Sequence, residues 1–150
     1  MQSLFNKQDA ESFIQRINKI SSETRPAWGK MNASQLMAHC NAALEMAHGE
    51  IKSKRTLIGF LFGRSILKKL LMPGAEMPKN TPTDPNFVFP DTVEFEKAKE
   101  KLINRIRLFS DKGASAITKE KHPFFGDMST EQWDQLQVKH LNHHLKQFGV

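Results

Sequence analysis

Lys139-His-Leu-Asn-His-His-Leu-Lys146 carries three of the six histidines of the chain within five residues: His140, His143 and His144. On an α-helix, His140 and His144 stand about 40° apart around the axis and about 6 Å apart along it. Two imidazoles so placed can share one metal ion. His143 diverges from His140 by about 60° on the other side, so the three cannot all serve one ion equally well. Around the same helix Trp133, Leu141 and Phe148 fall within about 80° of one another. His144 lies inside that arc and His140 at its edge beside Leu136, whereas Lys139, Asn142 and Lys146 face away. The pair therefore points toward a core, with His143 nearer the rim. A pair does not close a metal site, and a further ligand has to come from another element.

The rest of the chain reads as helices with little strand signal. Ser129-Thr-Glu-Gln132 forms a capping box that opens the last helix, expected to run to about Lys146. Asn32-Ala-Ser-Gln35 opens another in the same way, ending near Gly49. Its Leu36, Met37, Cys40, Ala43, Leu44 and Ala47 share one arc, and His39 sits on the flank of that arc beside Leu36 and Ala43. His39 is thus the best candidate for the third ligand. Phe13, Ile14, Ile17 and Ile20 place a first helix from about Asp9 to Ser22, stopped by Arg25-Pro26. Val93, Phe95, Ala98, Leu102, Ile103, Ile106 and Phe109 place another from about Thr92 to Ser110. Between Thr56 and Gly74 apolar residues mix with Gly59 and Gly63, which reads as a short helix from about Gly63 to Leu71 with an irregular lead-in. Five prolines from Pro73 to Pro90 mark a surface loop rather than a domain boundary.

The bulk numbers narrow the classes. The chain has 150 residues, 39% of them hydrophobic, enough for one domain with a real core. Its single cysteine, Cys40, excludes an internal disulfide and a cysteine-based zinc knuckle, and reads as a small buried hydrophobe. The N-terminus lacks a signal-peptide pattern. The apolar stretch from Leu57 to Met72 is too short and too charged to span a bilayer. A cytoplasmic location is expected. The net charge of +6 serves solubility, since no base-reading motif accompanies it, and neither nucleic acid nor membrane is expected as a partner. His48 lies about 180° from His39 and reads as a surface residue. His122, before Pro123 in a loop, reads as structural.

Trp28-Gly-Lys-Met31, Gln35-Leu-Met-Ala-His-Cys40, His122-Pro-Phe-Phe-Gly126, Gln132-Trp133 and the block from Lys139 through Gln147-Phe-Gly149 together resemble a bacterial family of unknown function within the DinB/YfiT-like superfamily of candidate metalloenzymes. The segment from about Gly49 to Pro90 matches nothing in it. The resemblance implies an all-α four-helix bundle, up-down-down-up, whose long crossover here carries an extra short helix. It implies a metal site of three histidines, carried onto His39, His140 and His144. Members include thiol-dependent transferases and a mycothiol-dependent isomerase.

Three neutral imidazoles leave coordination positions open, the arrangement of a catalytic rather than a structural site. The expected function is a metal-dependent hydrolase or thiol-dependent transferase acting on a small molecule. Zinc, nickel or iron suits all-nitrogen ligation, and a low-molecular-weight thiol is the candidate cosubstrate. No carboxylate offers itself as general base; Glu45 points about 120° away from His39. The alternative is a non-catalytic ligand-binding or stress-associated bundle. Leu57, Ile58, Phe60, Leu61, Phe62, Ile66, Leu67, Leu70 and Leu71 are too many apolar side chains for a solvated connection. They are expected to line a homodimer interface or to cap the open end of the metal site.

Overall fold

A computed structural model describes residues 2–150 of the chain. Among the described residues it contains five α-helices and no β-strand: α1 (Lys7–Asn18), α2 (Ala33–His48), α3 (Leu57–Leu70), α4 (Phe95–Lys112) and α5 (Thr130–Gln147). Short 3-10 turns lie at Pro85–Phe87 and Gly113–Ala116. The fold is an all-α helical bundle. α1 and α2 each pack against both α4 and α5. The core between them is built from Phe13 and Ile17 of α1, Leu36, Met37 and Leu44 of α2, Leu102, Ile106 and Phe109 of α4, and Trp133, Leu141 and Leu145 of α5.

The helix starts follow from local chemistry. Asn32 and Ser129 each cap an orphan amide while Gln35 and Gln132 reach back to the cap backbone, so both capping boxes form. α2 stops at Gly49, whose φ of +92° is the left-handed cap that glycine takes without strain. α1 begins earlier than its apolar pattern suggests, because Asn6 accepts from the Gln8 and Asp9 amides, and it ends before Ile20, which is nonetheless buried.

The largest departure from the sequence reading is α3. It starts at Leu57, not near Gly63, capped by Thr56, whose hydroxyl accepts from the Gly59 amide. The two glycines that made this stretch look irregular are inside the helix because another backbone lies against them. A Cβ on Gly59 would come within 2.5 Å of the Phe124 carbonyl oxygen, and one on Gly63 would meet the same carbonyl. The helix thus rests by its bare side on the His122–Gly126 turn, which is closed by paired hydrogen bonds between His122 and Gly126 (2.8 and 2.9 Å). The long connection from α2 to α4 is pinned elsewhere by α5: Lys139 donates to the Ala75 carbonyl at 2.6 Å and Lys146 meets Glu76 at 2.8 Å. No helix among the described residues is long and apolar enough to cross a membrane.

Candidate metal centre

α2 and α5 pack side by side, and that contact brings His39 to His140 and His144. The His39 and His140 Nε2 atoms are 3.0 Å apart, and one ring nitrogen from each of the three histidines falls within 4.8 Å of the others. His39 and His144 are buried, at 4% and 8% exposure, and His140 is half-buried between them.

Fixed acceptors orient the rings. His39 Nδ1 lies 3.0 Å from the Phe87 carbonyl oxygen. A carbonyl only accepts, so His39 carries its proton on Nδ1 and presents its Nε2 lone pair toward His140 Nε2, 3.0 Å away. His144 Nδ1 lies 2.8 Å from Gln147 Oε1. The Gln147 amide nitrogen is itself committed as donor to the Trp28 carbonyl at 2.7 Å, so Oε1 is the acceptor and His144 Nε2 is also left bare. Hydrogen bonds of this kind set the tautomer and the direction of a ligating histidine.

The local sequence explains both acceptors. Gln35 and His39, one turn apart on α2, hold the Phe89 and Phe87 carbonyls, so α2 fastens the crossover next to the cluster. The Trp28 carbonyl is placed by Gly29, at φ +82°, where a Cβ would come within 2.5 Å of Gln147 Nε2. The Ala27 amide, donating to the Gln147 carbonyl at 2.7 Å, ties the same loop to the end of α5.

The cluster is electrically neutral by construction. Burial, reinforced by the neighbouring imidazoles, pushes His140 well below the ordinary histidine range and His144 down to about 3. His39 is also lowered by burial. No aspartate or glutamate belongs to the cluster. Glu45 is engaged elsewhere, accepting from Asn41 at 2.9 Å and lying 3.6 Å from Arg105.

The donor set fits a divalent first-row ion. Zinc–nitrogen bonds of about 2.0–2.1 Å place tetrahedral ligand atoms roughly 3.3 Å apart, near the 3.0 Å between the His39 and His140 Nε2 atoms and inside the 4.8 Å that spans the cluster. His140 Nδ1 is enclosed and has no hydrogen-bond partner. Orphaned buried polar atoms cost about 1–3 kcal/mol and concentrate where function requires them.

The other histidines fall outside the cluster. His143 sits on the rim, its ring edge-on to Trp28 at 5.8 Å. His48 does not join the site, but it is half-buried rather than a surface residue, 2.6 Å from the Ala116 carbonyl. Cys40 is buried and burial pushes its thiol up, so it behaves as a hydrophobe. His122 lies in the wall of the cavity onto which the cluster opens. That cavity holds about 1070 Å³, and Ile58, Ile66 and Leu70 of α3 form part of its lining. The motif residues Gln147, Trp28 and Gly29 were visible in the sequence, but their role depends on contacts between chain segments more than a hundred residues apart.

No curated protein and no solved structure shows significant similarity to the chain. One family model does match, over residues 3–149, nearly the whole chain. The chain belongs to that family, described as protein of unknown function DUF1569.

Proposed function

We propose that the chain is a DinB-like, metal-dependent enzyme, with His39, His140 and His144 as ligands to a divalent ion such as zinc, nickel or iron. One observation carries this reading. Three imidazoles each bring one ring nitrogen within 4.8 Å of the others, and two of them have their Nδ1–H groups tied to acceptors, which leaves Nε2 as the atom with a lone pair to give. A buried structural histidine also ties its N–H to an acceptor, but the convergence of three such rings on one point is what an ion requires. When bound there, the ion supplies Lewis acidity to activate a water molecule or a thiol. Phe87 and Gln147 keep the ligand rings in register. The apolar cavity wall excludes bulk water from the substrate side. No side-chain carboxylate stands at the cluster to take a proton, which favours a thiol, acidic in its own right, over water as nucleophile. The reading is therefore a thiol-dependent transferase, with hydrolysis second, acting on a small molecule. It includes a cytoplasmic location, a single domain and a homodimer joined through α3.

Metal analysis of untagged protein tests it. A stoichiometric first-row metal, lost in His39→Ala, His140→Ala and His144→Ala but kept in His48→Ala, is expected. Protein that purifies empty and takes up no zinc, nickel or iron near neutral pH would leave a non-catalytic ligand-binding bundle instead.

A further inference from the structure

α5 presents Trp133, Gln137, His140 and His144 to the cavity at spacings of four, three and four residues, which is one stripe of a helix. The last two belong to the histidine cluster. The first two have no assigned role, and both are nearly fully buried, at 1% and 3% exposure. Trp133 Nε1 and Gln137 Oε1 nevertheless have no hydrogen-bond partner. A buried donor and a buried acceptor left unpaired on a cavity wall point to a ligand that pairs with them.

His122 stands against the same stripe. Its Nδ1 accepts from the Phe124 amide at 3.0 Å and from the Phe125 amide at 3.1 Å. A ring nitrogen that accepts two N–H groups carries no proton, so the proton sits on Nε2. The ring is held between Trp133 and Phe125, at centroid distances of 5.0 and 4.6 Å. Among the described residues nothing accepts from the Nε2–H. Burial lowers this histidine to about 4, so it remains a neutral donor at physiological pH. The rest of the wall is mostly apolar, and Lys30 and Asp84 are its charged residues.

We propose that this end of the cavity is a subsite for an uncharged amide bearing an N–H, on a mainly apolar substrate. His122 Nε2–H and the Trp133 indole N–H donate to its carbonyl oxygen, and Gln137 Oε1 accepts from its N–H. The placement of the reacting end rests on the metal-enzyme reading. Trp133 is seven residues from His140, so about 10 Å separates the subsite from the cluster along the helix. A carboxylate at the subsite would meet donors but lose its hydration against an apolar wall, so charged acids are selected against.

The test uses the ¹⁵N-labelled 150-residue chain, with and without zinc, titrated with N-methyl-4-phenylbutanamide and, in the zinc-free form, 4-phenylbutanoate. The amide is expected to shift the Trp133 indole signal, identified by Trp133→Phe, and the His122 ring nitrogens, saturably. The carboxylate should bind at least tenfold more weakly. Gln137→Leu and His122→Phe should each weaken amide binding at least fivefold. Gln137→Leu leaves the His122 turn intact and removes an unpaired amide, so its thermal midpoint should not fall; it keeps the test valid if His122→Phe disturbs the turn. An amide that moves neither signal at millimolar concentration, or binds Gln137→Leu as tightly as wild type, overturns the subsite. Zinc affinity read in the same samples separates the two proposals: lost zinc binding with amide binding intact sinks only the metal reading, and the reverse sinks only the subsite.

Discussion

Each histidine in the cluster is defined less by its own position than by what holds its second nitrogen. Gln147 is the clearest case, because it fixes the His144 tautomer and is in turn fixed by the Trp28 carbonyl. Gln147→Leu keeps all three candidate ligands but removes that restraint. It should lower zinc affinity by about 10–100-fold, as loss of such supporting groups commonly does; competition against a chromophoric chelator measures this, and wild-type affinity would separate Gln147 from the site. The same burial sets the pH behaviour. Free histidine titrates near 6.5, whereas His144 is lowered to about 3 and His39 and His140 are lowered as well. Below about pH 6.5 the unfolded chain binds protons that the metal-free fold refuses, so stability falls as pH falls, by at most about 1.4 kcal/mol per unit for each such histidine. The loss continues for His144 until pH nears 3. Thermal midpoints with chelator present should therefore drop steadily from neutral pH to pH 5, and a flat profile would contradict neutral, buried imidazoles. Metal binding should hold to lower pH than the ordinary histidine value implies, because the folded site already rejects protons.

At the scale of elements, α3 shows how a helix can be written in residues that argue against one. Glycine normally costs a helix about 1 kcal/mol relative to alanine, so Gly63→Ala ought to stabilise an isolated α3. Here the added methyl meets the Phe124 carbonyl. Gly63→Ala should instead destabilise by about 1–3 kcal/mol and lower the thermal midpoint, while Ser65→Ala on the exposed side should be neutral or slightly stabilising. A Gly63→Ala protein as stable as wild type would show that α3 does not rest on this turn. The contrast marks what the sequence could disclose. The capping boxes of α2 and α5 and the arcs of Leu36, Met37 and Leu44 and of Trp133 and Leu141 are local, so helix starts and buried faces were legible, and with them His39, His140 and His144. The length of α3, the burial of His48 against Ala116 and the roles of Gln147 and Trp28 were not. Each depends on a backbone carbonyl delivered by a distant segment, and a carbonyl leaves no side-chain signature.

On the scale of the whole molecule, the inner side of α3 is settled by Gly59, Gly63, Leu67 and Leu70, while among the described residues its outer side is open to solvent, with the Arg55 guanidinium over the Phe60 ring at 5.1 Å. Leu57, Ile58, Phe60, Leu61 and Phe62 are each more than half exposed, and Ile66 is 41% exposed. Scattered surface leucines are ordinary, but a contiguous run of large apolar side chains on one helix marks a contact surface. Ile58 and Ile66 also line the cavity, so whatever covers this face also closes part of the substrate wall. A second copy fits that requirement without any other component, since a two-fold pairing sets like against like and is the commonest assembly. Arg64, Lys68 and Lys69 are exposed in the C-terminal half of the same helix, and Arg64 and Lys68 continue the Leu57–Leu61 stripe, so their aliphatic stems would extend the contact while the charged heads reach water. Light scattering on the purified protein should give twice the chain mass. Replacing Phe60 and Phe62 together by serine should give the single-chain mass with helix content unchanged, because neither side chain supports the bundle. A wild type that is monomeric at micromolar concentration, or one that pairs equally well with both serines in place, would show that this face serves some other contact, and binding to anionic vesicles would then be the measurement to make.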